Sequence, residues 1–423
     1  MNTWHALGEA VQLELWFDFS CPYAYLASRR APALARAFGA SLVWRPMLLG
    51  GVFRGIGAGD GPMATLSPQK ARHNLADMQR WAELFGVPLR VPPAHPMRTV
   101  RALRVLLALP HSRWPGAIDA IYAAYWQRGE DVTRDDVIAA ALREAGTSEP
   151  DIAAALVGAD DRKDELRRRT DDAIALGIFG APAWVIDHRL VAWGQDRIAW
   201  VEAALAGRED AGRGFGDGVQ GFRSPRTLDV YFDVASPFAY LGLTQLPRLA
   251  ALCGVTPRLH PILLGGLFRA IGQADVPLYA MPAAKRRYTE HEMGRWARWW
   301  GVPFAEPRKF PQRTIAAQRL CLVAGDDPTL AIALGRAMWA EQRDLEDDDT
   351  LRGVLADCGL PREWVERTRE PELKAALAER TAAAQAAGVF GVPTWIVAGK
   401  YLFWGQDRLE LVMRALGGWD PPG

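Results

Sequence analysis

The sequence predicts an α/β protein in which one mixed fold is present twice in tandem. The first observation is an internal repeat: Asp18 matches Asp233 and Lys70 matches Lys285, each pair separated by an offset of 215 residues. The second is that each copy opens with a β-prone run followed by helical sequence, and closes with short β-prone runs and a last helix. The third is a glycine-rich segment between the copies, whose composition is typical of a flexible linker.

The offset between the copies shrinks in two small steps. It is 215 residues in the first part of each copy, 213 near Trp126 and 211 at Gly180. Such steps indicate duplication of a whole domain with small deletions in surface loops, and the period is too long for a solenoid repeat. The predicted organisation is a first domain at 1–210, a linker at 211–226 and a second domain at 227–423.

The predicted elements of one copy follow from hydrophobic periodicity and from glycine and proline punctuation. In order, they are a strand at 12–18, a helix at 22–38, a strand at 42–45, a glycine-rich loop at 49–60, mostly helical sequence at 67–177, a hairpin of 183–186 and 190–192, and a closing helix at 196–205.

The turn between the first strand and the first helix is the strongest candidate for chemistry. It contains Cys21-Pro22 in the first copy and Ser236-Pro237 in the second. Proline suits the first helical turn, where its missing N–H is not needed. The preceding residue therefore lies at a helix N-terminus, where free N–H groups and the positive dipole end favour a thiolate.

Composition argues against several classes of function. The formal net charge of +1 gives no electrostatic reason to expect a nucleic acid or an anionic membrane as partner. No apolar run reaches the length of a membrane span, and residues 1–11 do not read as a secretory signal, so a cytoplasmic protein is expected. The four cysteines lack C-x-x-C and zinc-ligand spacing, so neither a metal site nor a disulfide framework is expected.

Four motifs, in the same order in both copies, carry a resemblance to a known family. They are Ser-Pro-Tyr/Phe-x-Tyr-Leu, in which the first copy has cysteine for serine, then Pro-x-x-Leu-Gly-Gly-x-Phe, Gly-Val/Ile-Phe-Gly-x-Pro-x-Trp and Trp-Gly-Gln-Asp-Arg. The chain resembles the 2-hydroxychromene-2-carboxylate isomerase family, which is close to the kappa-class glutathione transferases and more distantly related to the DsbA-type thiol oxidoreductases. The resemblance implies a thioredoxin-like fold with a large helical insertion, present twice.

The resemblance also implies that glutathione is the cofactor and that Ser236 is catalytic. In the family, this serine donates a hydrogen bond to the glutathione sulfur and stabilises its thiolate. A hydroxyl at a helix N-terminus supports that role, because both features lower the pKa of a bound thiol. The alternative is a serine that only caps the helix.

Cys21 departs from the family pattern and occupies the position of the attacking cysteine of thiol oxidoreductases. The sequence Cys21-Pro22-Tyr23-Ala24 lacks a resolving cysteine. A lone thiol at a helix N-terminus is expected to be acidic and reactive, able to form a mixed disulfide with glutathione but no internal disulfide within the motif. The alternatives are a buried inert cysteine or a simple replacement for the serine.

The remaining predicted glutathione contacts come from three regions of each copy. Pro182 and Pro393 are expected to be cis, so that Ala181 and Val392 present their backbone to an extended peptide; an ordinary trans turn is the alternative. Polar groups at the start of the last helix and one lysine per copy match family positions that hold the charged ends of glutathione. The alternative for the aspartates is helix capping, and the alternative for the lysines is an ordinary place on the exposed surface. These residues are Gln195, Asp196, Gln406, Asp407, Lys70 and Lys285.

The function implied by the resemblance is cis-trans isomerisation of a 2-hydroxychromene-2-carboxylate in the degradation of aromatic compounds, by thiolate addition and elimination. The alternative is a glutathione transferase or thiol-disulfide oxidoreductase that uses Cys21, with one copy serving only a structural role. The expected partner is a small aromatic carboxylate, with no nucleic acid and no membrane. The two halves are expected to pair as an intramolecular pseudo-dimer.

Overall fold

The computed structural model describes residues 11–59, 61, 66–209, 212, 214–274 and 276–423. These residues fall into two compact units. Unit 1 contains the described residues of Met1–Thr65, Met78–Glu209 and Pro282–Lys285, and unit 2 contains those of Leu66–Asp77, Asp210–Met281 and Arg286–Gly423. Residues 1–10, where no signal is expected, residue 60 of the predicted loop, and residues 210, 211 and 213 at the predicted linker lie outside the described part.

The first repeat contains a helical insertion between a β-α-β segment and a hairpin, as predicted. Its elements are β1 (Gln12–Phe17), α1 (Pro22–Ala37), β2 (Ser41–Pro46), α2 (Leu49–Gly55), α3 (Pro68–Leu84), α4 (Val100–Ala108), α5 (Trp114–Ala123), α6 (Asp135–Glu144), α7 (Glu149–Gly158), α8 (Lys163–Ala175), β3 (Ala183–Ile186), β4 (Arg189–Trp193) and α9 (Ile198–Leu205).

The second repeat follows the same order. Its elements are β5 (Leu228–Phe232), α10 (Pro237–Cys253), β6 (Arg258–Pro261), α11 (Leu264–Ala270), α12 (Ala283–Trp300), α13 (Ile315–Val323), α14 (Pro328–Trp339), α15 (Asp348–Asp357), α16 (Trp364–Arg367), α17 (Pro371–Ala386), β7 (Thr394–Val397), β8 (Tyr401–Trp404) and α18 (Leu409–Leu416).

Each repeat builds a mixed sheet with the first strand inside it. The strand orders are β2-β1-β3-β4 and β6-β5-β7-β8, in which the first pair is parallel and the other pairs are antiparallel. Leu13, Leu15 and Phe17 lie on one face of β1, and Glu14 and Trp16 lie on the other. All five are buried, so both faces of this strand are covered. Because β1 and β5 are central, the turns that follow them lie at the middle of one sheet edge.

One local expectation is wrong. The glycine-rich stretch after β2 forms the short helix α2 rather than a loop, and the matching stretch forms α11. The two additional residues of the first repeat lie in the connection between α4 and α5, because α4 matches α13 at an offset of 215 whereas Pro115 of α5 already matches Pro328 of α14 at 213. This connection contains the exposed residues His111–Arg113, as expected for a change in a surface loop.

The two matching helices end differently. α5 continues into a π-helical segment at Ala124–Arg128, whereas α14 runs as α-helix to Trp339. π-helical turns are frequently found at functional sites.

Among the described helices, none combines the length and the hydropathy needed to cross a bilayer.

Candidate functional site

The turn after the first strand has the same backbone conformation in both units. Cys21 caps α1 with φ −96° and ψ 113°, and Ser236 caps α10 with φ −95° and ψ 122°. Each residue is extended, and a proline follows it at the first helical position. The proline ring fixes φ near the helical value, so the helix begins there and the side chain before it lies beside the free N–H groups of the first turn.

A buried aspartate holds this turn in unit 1. Asp18 accepts hydrogen bonds from the Ser20 backbone N–H at 3.0 Å, the Leu49 N–H at 2.7 Å and the Thr99 hydroxyl at 2.5 Å. Its carboxyl therefore connects the turn, the start of α2 and the start of α4. Burial raises the pKa of Asp18, while these hydrogen bonds counteract part of that rise.

Unit 2 contains the same arrangement. Asp233 accepts from the Ala235 N–H at 2.9 Å, the Leu264 N–H at 2.8 Å and the Thr314 hydroxyl at 2.8 Å, and burial raises its pKa too. Neither the aspartates nor the threonines were predicted from the sequence to have a role at the site. The available signal was that all four residues match across the repeat, as do the polar groups that the carboxylates contact.

The thiol of Cys21 is buried and points at the cis-proline loop. Its Sγ donates to the Ala181 carbonyl at 3.1 Å, and it makes no capping hydrogen bond to α1. Burial raises the pKa of Cys21 to about 12; the nearby N–H groups of Ala24 and Tyr23 lower it and the charge of Asp18 raises it. The expectation of an acidic thiol is therefore wrong, because desolvation outweighs the helix N-terminus.

The hydroxyl of Ser236 occupies the equivalent position and makes two contacts. It accepts from the Ala239 N–H at 3.2 Å, which caps the helix, and it donates to the Val392 carbonyl at 3.3 Å. Both contacts are long for bonds that involve a hydroxyl or a backbone N–H. Ser236 thus caps α10 with its oxygen, while its hydroxyl proton is directed towards the cis-proline loop.

The peptide bonds Ala181–Pro182 and Val392–Pro393 are both cis, as expected from the sequence. Ala181 and Val392 are nearly buried, and their backbone N–H groups make no hydrogen bond within the described residues. Each residue thus offers a backbone donor beside the thiol or hydroxyl at the turn. An extended peptide can pair with such a donor in the manner of an added strand.

The Trp-Gly-Gln-Asp-Arg motif ties the hairpin to this loop. The Gly405 N–H donates to the Pro393 carbonyl at 2.9 Å, and the Trp395 indole N–H donates to the Gly405 carbonyl at 3.0 Å. Gly405 has φ +107°, and a Cβ there would collide with the Asp407 carboxylate. Glycine is thus required at this junction, and Gly194 with φ +112° repeats the arrangement in unit 1.

The predicted polar residues of this motif lie at the start of the last helices, in 3₁₀ turns at Gln195–Arg197 and Gln406–Arg408. Both glutamines are buried. Each aspartate pairs with the next residue of its motif: Asp196 with Arg197 at 2.9 Å and Asp407 with Arg408 at 3.0 Å. The aspartate charges are thus partly compensated, and the roles of these residues towards a ligand remain predictions.

The lysines of the two repeats belong to the unit built mainly from the other repeat. Residues 66–77, with Lys70, are part of unit 2, and residues 282–285, with Lys285, are part of unit 1. The Lys70 ammonium lies 4.8 Å from the ring centre of Trp404, and that of Lys285 lies 5.3 Å from the ring centre of Trp193. Each cation thus lies near the end of the hairpin strand that leads into the Trp-Gly-Gln-Asp-Arg motif.

Two further residues of the 66–77 segment contact the hairpin side of unit 2. The His73 Nε2 accepts from the Trp404 backbone N–H at 3.3 Å. Asp77 receives two hydrogen bonds from the Arg408 guanidinium, at 2.8 and 3.0 Å. Neither residue was predicted from the sequence, since local periodicity does not reveal contacts between positions 331 residues apart.

In the described part of the chain, no group of histidine, cysteine and acidic side chains is arranged to hold a metal ion.

Comparison with known proteins agrees with the duplicated architecture. The family model described as DSBA-like thioredoxin domain matches twice, at residues 12–206 and 227–417. Glutathione S-transferase kappa 1 of Rattus norvegicus is 28% identical over 211 residues, which are 46% of this chain and 92% of that protein. The 2-hydroxychromene-2-carboxylate isomerase of Pseudomonas putida is 32% identical over 200 residues, which are 45% of this chain and 94% of that protein.

A solved structure of a 2-hydroxychromene-2-carboxylate isomerase is 27% identical, with a TM-score of 0.41. It covers 45% of this chain and 94% of its own length. The rat transferase and the Pseudomonas putida isomerase each match a length of about one repeat of the duplicated chain.

Proposed function

The chain belongs to the DsbA-like thioredoxin domain family, and on that premise we propose that it is a glutathione-dependent cis-trans isomerase of the 2-hydroxychromene-2-carboxylate type. The substrate would be a small conjugated aromatic carboxylate, and the reaction would belong to the degradation of aromatic compounds. The named relatives support an enzyme of the isomerase or glutathione transferase kind.

The observation that carries this proposal is the constellation at Ser236. The hydroxyl, the first turn of α10 and the backbone N–H of Val392, which has no hydrogen-bond partner among the described residues, lie at one edge of the sheet. A cysteinyl peptide fits such a constellation, because its backbone can pair with Val392 while its sulfur lies at the helix N-terminus. Glutathione, when bound, supplies a thiolate that adds to a conjugated double bond and leaves after rotation about the resulting single bond.

Ser236 would act by redirecting its proton. Its present acceptor is the neutral Val392 carbonyl at 3.3 Å. A thiolate is a stronger acceptor than a carbonyl, because hydrogen bonds to charged groups are roughly twice as strong as neutral ones. The hydroxyl would therefore turn to the sulfur and lower the pKa of the bound thiol.

The charged ends of a γ-glutamyl tripeptide also have complementary groups in unit 2. Lys70, which lies over Trp404, offers an ammonium for a carboxylate. Asp407 offers a carboxylate for the γ-glutamyl ammonium, although Arg408 already partly compensates its charge. In unit 1, Lys285, Gln195 and Asp196 would hold the corresponding ends.

The test is turnover of 2-hydroxychromene-2-carboxylate by the full chain with and without glutathione. We expect turnover only with glutathione. Ser236→Ala should reduce kcat/KM on the order of 10²-fold, as removal of one preorganised donor does in other enzymes, whereas the matched variant Cys21→Ser should keep most of the activity. Absence of turnover under both conditions rejects the proposal.

Glutathione transferase activity is the second candidate, since the same thiolate-binding turn serves conjugation and since the rat relative is a transferase. Conjugation of 1-chloro-2,4-dinitrobenzene without isomerisation of the chromene carboxylate would favour it. Thiol-disulfide exchange at Cys21 has less support, because burial raises the pKa of that thiol.

We further propose that the two repeats replace the two subunits of a dimer within one chain, and that one repeat contributes little catalysis. Light scattering of the full chain tests the first part: we expect one chain per particle. Separate inactivation of the two turns tests the second, and equal losses from Ser236→Ala and Cys21→Ala would contradict it.

A further inference from the structure

The two units carry different side chains at one matched position of the helical insertion. His95 precedes the cis-proline Pro96 in unit 1, and Phe310 precedes the cis-proline Pro311 in unit 2. Each of these prolines lies three residues before the threonine whose hydroxyl donates to the buried aspartate of the turn. A difference at this position therefore lies close to the chemistry in each unit.

In unit 2 the position belongs to a row of aromatic rings that leads from solvent to the turn. Tyr279 is 55% exposed, and its ring centre lies 6.3 Å from that of Phe310. Phe310 lies 5.6 Å from Trp339, whose indole N–H donates to the Val234 carbonyl at 2.8 Å. Val234 is two residues before Ser236, so this row forms an apolar wall at the turn.

In unit 1 the same place carries a polar ring. His95 lies 5.0 Å from Trp126, and the Trp126 indole N–H donates to the Phe19 carbonyl at 2.8 Å. Phe19 is two residues before Cys21. The tryptophan thus occupies the same position relative to the turn in both units, and the residue packed on it changes from a hydrocarbon ring to an imidazole.

The hydrogen bonds around His95 favour one assignment of its ring proton. The Tyr125 hydroxyl accepts from the Met97 N–H at 2.9 Å, and it can donate its own proton to His95 Nδ1, also at 2.9 Å. An imidazole that accepts at Nδ1 carries its proton at Nε2. Burial lowers the pKa of His95, which keeps the ring neutral.

Nothing in the described residues accepts that proton. His95 is only half-buried, and Nε2 has no hydrogen-bond partner within the described part of the chain. The N–H is therefore available to a ligand.

The local backbone of unit 1 supports a specialised role for this pair. Tyr125 and Trp126 lie in the π-helical segment Ala124–Arg128, whereas Met338 and Trp339 of unit 2 lie in regular α-helix. Methionine at the place of Tyr125 could not orient an imidazole. The histidine, its tyrosine partner and the altered helix thus occur together in one unit and are all absent from the matching positions of the other.

We propose that position 95/310 determines which acceptor each turn selects. In unit 1, His95 donates its Nε2–H to an oxygen of the acceptor, so this turn prefers a conjugated acid with a further hydroxyl or carbonyl group. In unit 2, Phe310 and Tyr279 contact the acceptor through ring faces, so this turn does not distinguish acids by that oxygen. The inference rests on the proposed function in so far as the ligand is a small aromatic acid.

Calorimetric binding of two probes to the full chain, with glutathione present, tests the inference. The probes are trans-cinnamate and trans-2-hydroxycinnamate, which differ by one oxygen. We expect one of two sites to bind the hydroxylated acid about 2- to 12-fold more tightly, as one extra hydrogen bond predicts. His95→Phe should abolish the preference, and His95→Gln, which keeps a donor, should retain part of it.

The reciprocal variant Phe310→His is expected to weaken binding of cinnamate in unit 2, and it keeps the test valid if His95→Phe does not fold. Nitrogen NMR of histidine-labelled protein supplies a readout independent of binding: the resonance lost in His95→Phe should show the Nε2–H tautomer. An unchanged preference in His95→Phe, an Nδ1–H tautomer, or failure of both probes to bind overturns the inference.

Binding and turnover separate this inference from the proposed function. A preference that depends on His95, without isomerisation of the chromene carboxylate, would reject the isomerase and leave the specificity role intact. Isomerisation of the chromene carboxylate, together with a binding preference that is unchanged by His95→Phe, would support the isomerase and reject the specificity role of His95.

Discussion

Alkylation of Cys21 provides the sharpest test of how burial and the helix N-terminus compete at the turn. The thiol is nearly buried, its proton is donated to the Ala181 carbonyl, and burial raises its pKa to about 12. Only the thiolate reacts with iodoacetamide. We therefore expect Cys21 of the native chain to react slowly at neutral pH, in contrast to a cysteine that is activated for catalysis.

The expected magnitude follows from the thiolate fraction. At pH 8, an ordinary thiol with a pKa of 9.0 is about one-tenth thiolate, whereas a thiol with a pKa of about 12 is roughly 10⁻⁴ thiolate. The rate for Cys21 should thus be about a thousandfold lower than that of an ordinary thiol, and restricted access would lower it further. The logarithm of the rate should rise with unit slope through pH 10, because the pKa lies above that range.

The assay is mass spectrometry of the Cys21 peptide after timed exposure to iodoacetamide between pH 7 and pH 10. The urea-unfolded chain provides the control, since its Cys21 should react at the ordinary rate. Restricted access alone would slow the reaction without moving its pH midpoint. A native rate that reaches a plateau below pH 9 would refute the reasoning and would restore the oxidoreductase alternative.

Three further predictions concern the frame around the turn in unit 2. Gly405→Ala should cost about 1–3 kcal/mol in urea unfolding, because φ is +107° and a Cβ meets the next aspartate, whereas Gly265→Ala, with no atom within 4 Å of its Cβ, should be near neutral. Burial raises the pKa of Asp233, so the folded chain holds this proton more tightly, and the stability that the protonated carboxyl contributes falls as the pH rises above 3.8. The loss of unfolding free energy in Asp233→Asn, relative to the native chain, should therefore be larger at pH 4.5 than at pH 7.5. A loss that grows with pH would contradict this. Asp77→Ala removes two hydrogen bonds from Arg408 and should cost about 1–3 kcal/mol, measured by the urea midpoint; an unchanged midpoint would show that the pair is not stabilising.

The repeat made most of the fold predictable. Matched motifs located both turns, both hairpins and both cis prolines, because each depends on a few residues that are close in the chain, such as Pro182 before the strand Ala183–Ile186. The short helix α2 was missed because its glycines resemble a loop, and glycine disfavours but does not forbid a helix.

The site was less predictable because its properties depend on distant parts of the chain. The placement of Lys70 and Asp77 in unit 2 depends on contacts across more than 300 positions, which periodicity within one repeat does not encode. The pKa of Cys21 depends on burial, and a lone cysteine after a strand looks the same in sequence whether its sulfur is exposed or enclosed. Local motifs identified the candidate residues, but the pKa values of these residues depend on burial and on distant neighbours, which only the folded structure defines.

The frame of each turn is separate from its reactive tip, and this separation explains how the two copies can differ in chemistry while sharing a fold. The carboxylates of Asp18 and Asp233 hold the turns, and none of their side-chain hydrogen bonds involves Cys21 or Ser236. The backbone N–H of each tip residue donates to the main-chain carbonyl of its aspartate, at 3.1 and 3.0 Å, and this bond does not depend on the side chain at the tip. Replacement of serine by cysteine at the tip loses only the capping bond, worth about 1 kcal/mol. A change of the tip residue therefore lowers the free energy of unfolding only slightly. The accompanying change from Phe310 to His95 alters the side chain that a ligand can contact. Because the frame is unchanged, the two differences, serine to cysteine at the tip and Phe310 to His95 in the helical insertion, alter what each turn can contact without disturbing the fold that both units share.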